Sequence, residues 1–345
     1  MSLFQQVKFG NTGLKISPFI FGTMTFGNKK NMQWAIEEME DAYKILKYAY
    51  DRGIRTFDTA DAYANGLSET ILGSFLKHYN IPRETVVIMT KVFYRVDDTI
   101  ELNPTDLLFG NNEELNLRLV NQKGLSRKHI LEAAKNSVRR LGTYIDVYQI
   151  HRCDHETPFE ETMRALNDVV EQGYARYIGA SSMLGTEFAE YQFIAEKHGW
   201  HKFVNMQTCY NLLYREDERE MLPFCKKNNV AITPWSPLQM GFLARPITEK
   251  SVRQTTDLVI KAMSLDKFSE ADKEIIDRVN KLANKKNLKM ATVTLAWLFK
   301  KNAFPIVGLN KESRIDDALE ALKVELTEEE VKYLEEPYKP KPLFM

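Results

Sequence analysis

The sequence predicts an α/β chain folded as a (β/α)8 TIM barrel, with residues 1–345 forming a single barrel domain. Eight short runs are nearly continuous in apolar residues, as parallel strands buried on both faces require. Helical patterns separate them, and no Pro/Gly/Ser-rich linker, repeat or low-complexity tract marks a second domain. Eight strand–helix units in one chain favour a closed barrel over an open doubly wound sheet.

The elements follow in order. "QVKFGNTGLKISP" alternates around "GNTG" and predicts a β-hairpin ahead of the barrel. The barrel strands are "FIFGT" at 19, "IRTFD" at 54, "TVVIMTK" at 85, "IDVYQIH" at 145, "ARYIGAS" at 175, "FVNMQ" at 203, "VAITPWS" at 230 and "FPIVGL" at 304. In "SRKHILEAAKNSVRRLG", Ile130, Ala134, Val138 and Leu141 recur at helical spacing, and Gly142 closes the end. "TPFEETMRALNDVVEQG" predicts a capping box between Thr157 and Glu160, with Pro158 at the first helical position and Gly173 as the stop. "SEADKEIIDRVNKLANKK" and "MATVTLAWLFKK" are helices before the last strand, and "TEEEVKYLEE" repeats the capping box at Thr327 and Glu330. Long connections from Val92 to about Leu125 and from Gln239 to about Phe268 both follow strands. Such loops lie on the carboxyl face of the barrel, where function is built.

Bulk composition narrows the function classes. Lys plus Arg equal Asp plus Glu at 47 each, so no global field favours nucleic acid or an acidic membrane. Three scattered cysteines, Cys153, Cys209 and Cys225, fit a reducing compartment and no disulfide framework. No apolar leader or membrane-length run occurs, so a cytoplasmic location is expected. The "HRCDH" run contains metal-ligand types, but a spacing of two on an extended segment splays side chains, and no metal is expected.

The polar residues at the strand ends carry the functional signal. Strand two ends at Asp58, three at Lys91, four at His151, five at Ser181 and Ser182, six at Gln207, seven at Trp235 and Ser236. Tyr63 lies just beyond Asp58; Asp61 between them is expected to serve the turn. Each residue has a bland reading: a structural ion pair, a core histidine, a packed loop aromatic. Their shared face favours a joint one. A tyrosine titrates near ~10 and gives its proton reluctantly at neutral pH. An adjacent ammonium, Lys91, would lower that pKa, and Asp58 would keep the lysine charged. A neutral His151 would orient a carbonyl oxygen. The set suits protonation of an oxygen that becomes alkoxide-like as hydride reaches carbon. No G-x-G occurs, so the Rossmann fingerprint is absent and any dinucleotide binds by other means.

"FDTADAY", "TK" at 90–91, "YQIHRCD", "YIGASS", "MQTCYN", "PWSPLQMG" and "PIVGLNKESR" occur in the order found in aldo-keto reductases. From the hairpin to about Leu322, the chain resembles the branch of fungal aryl-alcohol dehydrogenase-like reductases and potassium-channel β-subunits. The resemblance implies a catalytic tetrad of Asp58, Tyr63, Lys91 and His151 and an NADPH/NADP+ cofactor. Ser181 and Gln207 would hold the nicotinamide carboxamide; Ser182 stands where many members have asparagine. Trp235 would stack on the ring, with Gly22 and Thr23 near it. Ser236, Leu238 and Gly241 match the stretch along the pyrophosphate. Lys311 and Arg314 match contacts to the 2′-phosphate, with Asp317 near adenine and Gly308 on the last strand. Met24, Phe93, Tyr63 and His151 would face a small carbonyl substrate. Specificity is expected in the 92–125 loop, including "NPTDLLFGNNEELN". The family contains monomers and oligomers, which leaves a homo-oligomer open.

Three functions compete at this level: an NADPH-dependent aldehyde reductase, a cofactor-sensing regulatory subunit of the channel type, and a Schiff-base aldolase using Lys91. A lysine kept charged by Asp58 is a poor nucleophile, which disfavours the third.

Overall fold

A computed structural model describes residues 5–30, 32–102, 112–257, 260–261 and 265–343. Part of the "NPTDLLFGNNEELN" stretch, residues 103–111, lies outside them. Strands β1 (Val7–Lys8) and β2 (Lys15–Ile16) form the expected antiparallel hairpin, with Val7 opposite Ile16. The barrel strands are β3 (Ile20–Gly22), β4 (Thr56–Asp58), β5 (Val87–Val92), β6 (Ile145–Ile150), β7 (Ala175–Ser181), β8 (Phe203–Gln207), β9 (Ala231–Ile232) and β10 (Ile306–Gly308). Seven fall within the apolar runs read from the sequence, and β5 extends one residue past its run, to Val92.

They pair in parallel in the order β10-β3-β4-β5-β6-β7-β8-β9. Between β9 and β10, Phe304 N–H donates to Ile232 O at 2.8 Å and Ile306 N–H to Pro234 O at 2.8 Å. Those two bonds close the barrel, so no ladder edge is left open at this seam. Twelve helices follow among the described residues: α1 (Met39–Asp51), α2 (Leu67–His78), α3 (Glu113–Arg118), α4 (Arg127–Leu141), α5 (Phe159–Glu171), α6 (Gly185–His198), α7 (Met221–Lys227), α8 (Val252–Thr256), α9 (Glu270–Lys286), α10 (Met290–Lys300), α11 (Glu312–Ala321) and α12 (Glu328–Glu335).

Two apolar cores hold the layers together. The larger lies between sheet and helices and includes Phe21, Phe57, Tyr148 and Trp297. The smaller fills the amino end of the barrel with Ile20, Val87, Met89, Val147, Ala231 and Ile306. Phe9 and Ile16 of the hairpin belong to this second cluster, so the hairpin seals that mouth. Each fully buried large apolar side chain contributes about 1.5–3 kcal/mol. With the amino end plugged, only the carboxyl end is left to carry a site.

Local chemistry sets most helix ends as expected. Gly142 takes φ 68° at the end of α4, and Thr327 with Glu330 forms the capping box of α12. The Thr157–Glu160 capping box does not form. The Thr157 hydroxyl instead donates to Asp154 Oδ2 at 2.8 Å, and α5 begins at Phe159 behind Pro158. Asp154 wins because it also accepts the Leu125 N–H, at 2.6 Å. Among the described residues, no helix is long and apolar enough to cross a membrane.

Candidate active site

Asp58 ends β4 and Lys91 is the penultimate residue of the neighbouring β5, and both are buried. Lys91 Nζ donates to Asp58 Oδ1 at 2.5 Å, to Thr59 O at 2.7 Å and to the Tyr63 hydroxyl at 3.3 Å. All three ammonium protons therefore have partners, which a buried lysine needs to stay charged. Asp58 Oδ2 accepts from Gln207 Nε2 at 2.9 Å and from Gln149 Nε2 at 3.2 Å. Gln149 Oε1 in turn accepts from Asn205 Nδ2 at 2.8 Å, and Asn205 Nδ2 also donates to Thr233 Oγ1 at 3.0 Å. A chain of amides thus crosses the barrel interior and fixes the carboxylate that fixes the lysine.

Electrostatics follow from that geometry. Burial alone would strip the Lys91 proton, but Asp58 and Tyr63 outweigh it and hold the pKa above its ordinary value. For Tyr63 the balance runs against the sequence expectation. Burial raises the phenol and Asp58 adds to it; Lys91 pulls down without overcoming them, so the pKa stays above 10. The ground state is accordingly a protonated phenol beside an ammonium. His151 is pushed well below the usual imidazole range by burial, then by Lys91 and Arg152. Its ring packs edge-on against Tyr63 at 5.9 Å and Tyr94 at 5.0 Å, and Nδ1 meets no partner among the described residues.

The turn Tyr63–Gly66 is strained: Ala64 and Asn65 take φ 49° and 53°. Such left-handed conformations persist where the surroundings over-determine them. Asn65 supplies the restraint, donating to Asp97 O at 2.8 Å and Ile100 O at 2.9 Å while accepting the Asp97 N–H at 3.0 Å. Gly27 makes room, since a Cβ there would lie 2.5 Å from the Ala64 Cβ. Neither Asn65 nor Gly27 was identified from sequence; their partners are distant in the chain.

Asp61 is not a solvated turn residue. It is buried, and neither side-chain oxygen finds a hydrogen-bond partner among the described residues. Desolvation and then Glu69 raise its pKa well above 3.8, with Arg140 pulling down only in part. Because Glu69 already takes Arg140 Nε at 2.6 Å, the guanidinium is largely committed. A carboxyl protonated in the fold but ionised in the unfolded chain costs stability as pH rises above about 3.8. Asp61→Asn is therefore expected to be the more stable protein at neutral pH. Denaturant midpoints should separate between pH 4 and 7 and converge in acid; a constant gap would mean that Asp61 does not titrate this way.

The remaining expected residues distribute around the same face. The Ser181 and Ser182 hydroxyls lie 3.2 Å apart, and Trp235 Nε1 donates to Ser182 Oγ at 3.0 Å. Thr23 is buried, its hydroxyl donating to Asp58 O at 3.0 Å, while Gly22 pairs with Gly308 on the closing strand and with Asp58. Met24 and Phe93 are partly exposed, and Phe93 packs edge-on against Tyr94 at 5.2 Å. Asp317 lies on α11, part-buried; burial raises its pKa.

A second focus lies at β9 and β10. Ser236, Leu238 and Gly241 follow β9, and Gly241 takes φ 93° with Arg245 Nη2 and Gln254 Nε2 nearby. Arg245 Nε and Gln254 Nε2 are buried and meet no acceptor among the described residues. Arg314, whose Nη1 donates to Asn310 Oδ1 at 2.7 Å, has its pKa lowered by burial and then by Arg245. Lys311 caps the same helix. Like charges and orphaned donors gathered around a glycine fit a phosphate-bearing ligand. Arg245 and Gln254 were missed from sequence because they sit in the long loop after β9.

The "HRCDH" expectation needs its reason corrected. Cys153 and His155 do not splay apart; with Glu187 they bring ligand-type atoms within 4.8 Å. Glu187 is already engaged by His155 Nε2 at 2.6 Å and the Leu184 N–H at 2.8 Å. Burial and Glu187 push the Cys153 thiol up to about 12.

Comparison with known proteins fits this geometry. The model of the "Aldo/keto reductase family" matches residues 18–339. "Putative aryl-alcohol dehydrogenase AAD16" of Saccharomyces cerevisiae is 56% identical, covering 99% of this chain and 98% of its own. "Versiconal hemiacetal acetate reductase" of Aspergillus parasiticus is 52% identical over 98% of each chain. "Aldo-keto reductase AMT2" of Alternaria alternata is 44% identical over 97% of this chain and 92% of its own. With the matched model spanning nearly the whole barrel and relatives aligned end to end, the chain belongs to the aldo/keto reductase family of oxidoreductases.

Proposed function

We propose that the chain is an NADPH-dependent reductase that converts aryl or aliphatic aldehydes to primary alcohols. The observation that carries this reading is the Lys91 ammonium, buried and shared between Asp58 and the Tyr63 hydroxyl. Membership of the family brings a small carbonyl substrate and an NAD(P)H cofactor with it. The orphaned donors of Arg245 and Gln254, the approach allowed by Gly241, and the mutual repulsion of Arg245 and Arg314 suit that cofactor's phosphates. Ser181, Ser182, Gln207 and Trp235 stand at the strand ends where its nicotinamide would rest. When bound, the dihydronicotinamide supplies the hydride.

The chain's own residues handle the oxygen. Neutral His151 has one N–H to give to a carbonyl oxygen and cannot act as a competing acid at neutral pH. Tyr63 donates its proton to that oxygen as negative charge develops there. The Lys91 ammonium then faces a phenolate, which it stabilises far better than it does the phenol. Asp58, clamped by Gln207 and Gln149, keeps Lys91 charged throughout.

An aldehyde and ketone panel, followed at the nicotinamide absorbance band, tests the reading. Multiple turnover with aromatic and aliphatic aldehydes, faster with NADPH than with NADH, is expected. Failure of any aldehyde to turn over with tightly held NADPH would favour the regulatory-subunit alternative. Arg314→Leu should raise KM for NADPH roughly tenfold or more, the cost of losing charged hydrogen bonds to a phosphate. NADH kinetics should barely move; an equal loss for both cofactors would place Arg314 elsewhere.

A further inference from the structure

Arg152 immediately follows His151, and it differs from the carboxylate-paired arginines Arg83 and Arg140. Arg83 pairs with Asp146 at 2.5 Å and Arg140 with Glu69 at 2.6 Å, each beside a buried carboxylate. Arg152 has no carboxylate within ion-pair distance among the described residues, and its Nη1 is buried without an acceptor. A guanidinium held this way costs free energy unless an anion meets it.

Its surroundings hold it in place at the site. Nε donates to the Tyr94 hydroxyl at 3.0 Å, and the guanidinium carbon sits 5.7 Å from the centre of the Trp235 ring. Tyr94 in turn packs on His151. Tyr94 accepts from Arg152 and so has its own proton to donate outward. A guanidinium fork and a phenol donor therefore converge beside the histidine that faces the carbonyl. The phosphate-fitting cluster of Arg245, Gln254 and Arg314 belongs to the loops after β9 and β10, so the cofactor's anions have their own partners.

We propose that Arg152, positioned by Tyr94 and Trp235, forms a subsite for a carboxylate carried by the aldehyde substrate. The planar fork matches a carboxylate bidentately, which a lysine would not. The preferred substrate class is thus an aldehyde with a carboxylate at its far end. This inference rests on the reductase reading of the same site.

The test compares 4-carboxybenzaldehyde with its neutral methyl ester, each reduced with NADPH by the wild type, Arg152→Gln and Arg152→Lys. The wild type should prefer the carboxylate by roughly tenfold or more in kcat/KM, carried by KM, as one charge-assisted contact implies. In Arg152→Gln that ratio should fall toward one, whatever the absolute rates; Arg152→Lys should recover only part of it. NADPH binding, read by quenching of tryptophan fluorescence, checks that each variant folds. A wild type that reduces both aldehydes equally overturns the subsite and leaves the reductase reading standing. A wild type that reduces neither overturns the reductase reading itself. An Arg152→Gln enzyme with the ratio intact but NADPH affinity lost would assign Arg152 to the cofactor and end the proposal.

Discussion

Tyr63→Phe should reduce aldehydes ~10²- to 10⁴-fold more slowly than the wild type, the usual worth of a positioned general acid. The substitution removes one hydroxyl and keeps the ring that packs edge-on against His151. The turn held by Asn65 does not use that oxygen, and Lys91 loses one of three partners while keeping Asp58 and Thr59 O, so the fold and NADPH affinity should hold. The loss should fall on kcat, because the proton is needed only as the oxygen gains charge. The pH profile sharpens the test. Burial holds the phenol above 10, and Asp58 and Tyr63 hold Lys91 above 10.5, so both remain protonated across neutral pH. His151 is neutral over the same range. The wild-type rate of reduction should therefore be flat from pH 7 to 9 and decline only in stronger alkali. Wild-type-like turnover by Tyr63→Phe would remove Tyr63 from the mechanism; a steep wild-type loss between pH 7 and 8 would show that some other group gives the proton.

Much of this site was legible in the sequence because a parallel barrel converts strand ends into one surface. Asp58, Lys91 and His151 each terminate an apolar run, so the topology alone brought them together. What was illegible depends on partners far away in the chain. Gln149 and Asn205 lie inside strands, where an apolar run hides isolated polar residues; Gln149 is placed opposite Lys91 only once the register is known. Asn65 is an ordinary turn residue until Asp97 and Ile100 arrive to receive it. Asp61 had the composition of turn chemistry, yet packing around Glu69 and Arg140 buried it. Thr157 had a capping-box sequence, but Asp154 three residues earlier offered a nearer acceptor. In each case a local rule gave way to a tertiary contact that local sequence does not encode.

Lys91 should matter to stability as much as to chemistry. Lys91→Met leaves Asp58 buried with its carboxylate facing only the Gln207 and Gln149 amides. Breaking a buried pair from one side typically costs about 3–5 kcal/mol, because the charge left behind is uncompensated. Asp58→Asn strands the ammonium instead, though Thr59 O still accepts from it. The double variant Asp58→Asn with Lys91→Met removes both charges and should recover most of the loss, since neutral groups of similar volume pack without the desolvation penalty. The sign of the pH dependence follows from the raised lysine pKa: its contribution is fully present below the unfolded value and is lost only as pH climbs through the folded one, above 10.5. The deficit of Lys91→Met should accordingly be constant from pH 6 to 9. Urea midpoints at constant m-value measure it. A single variant no less stable than the double would mean that the pair is catalytic without being structural, and that the amide chain alone carries Asp58.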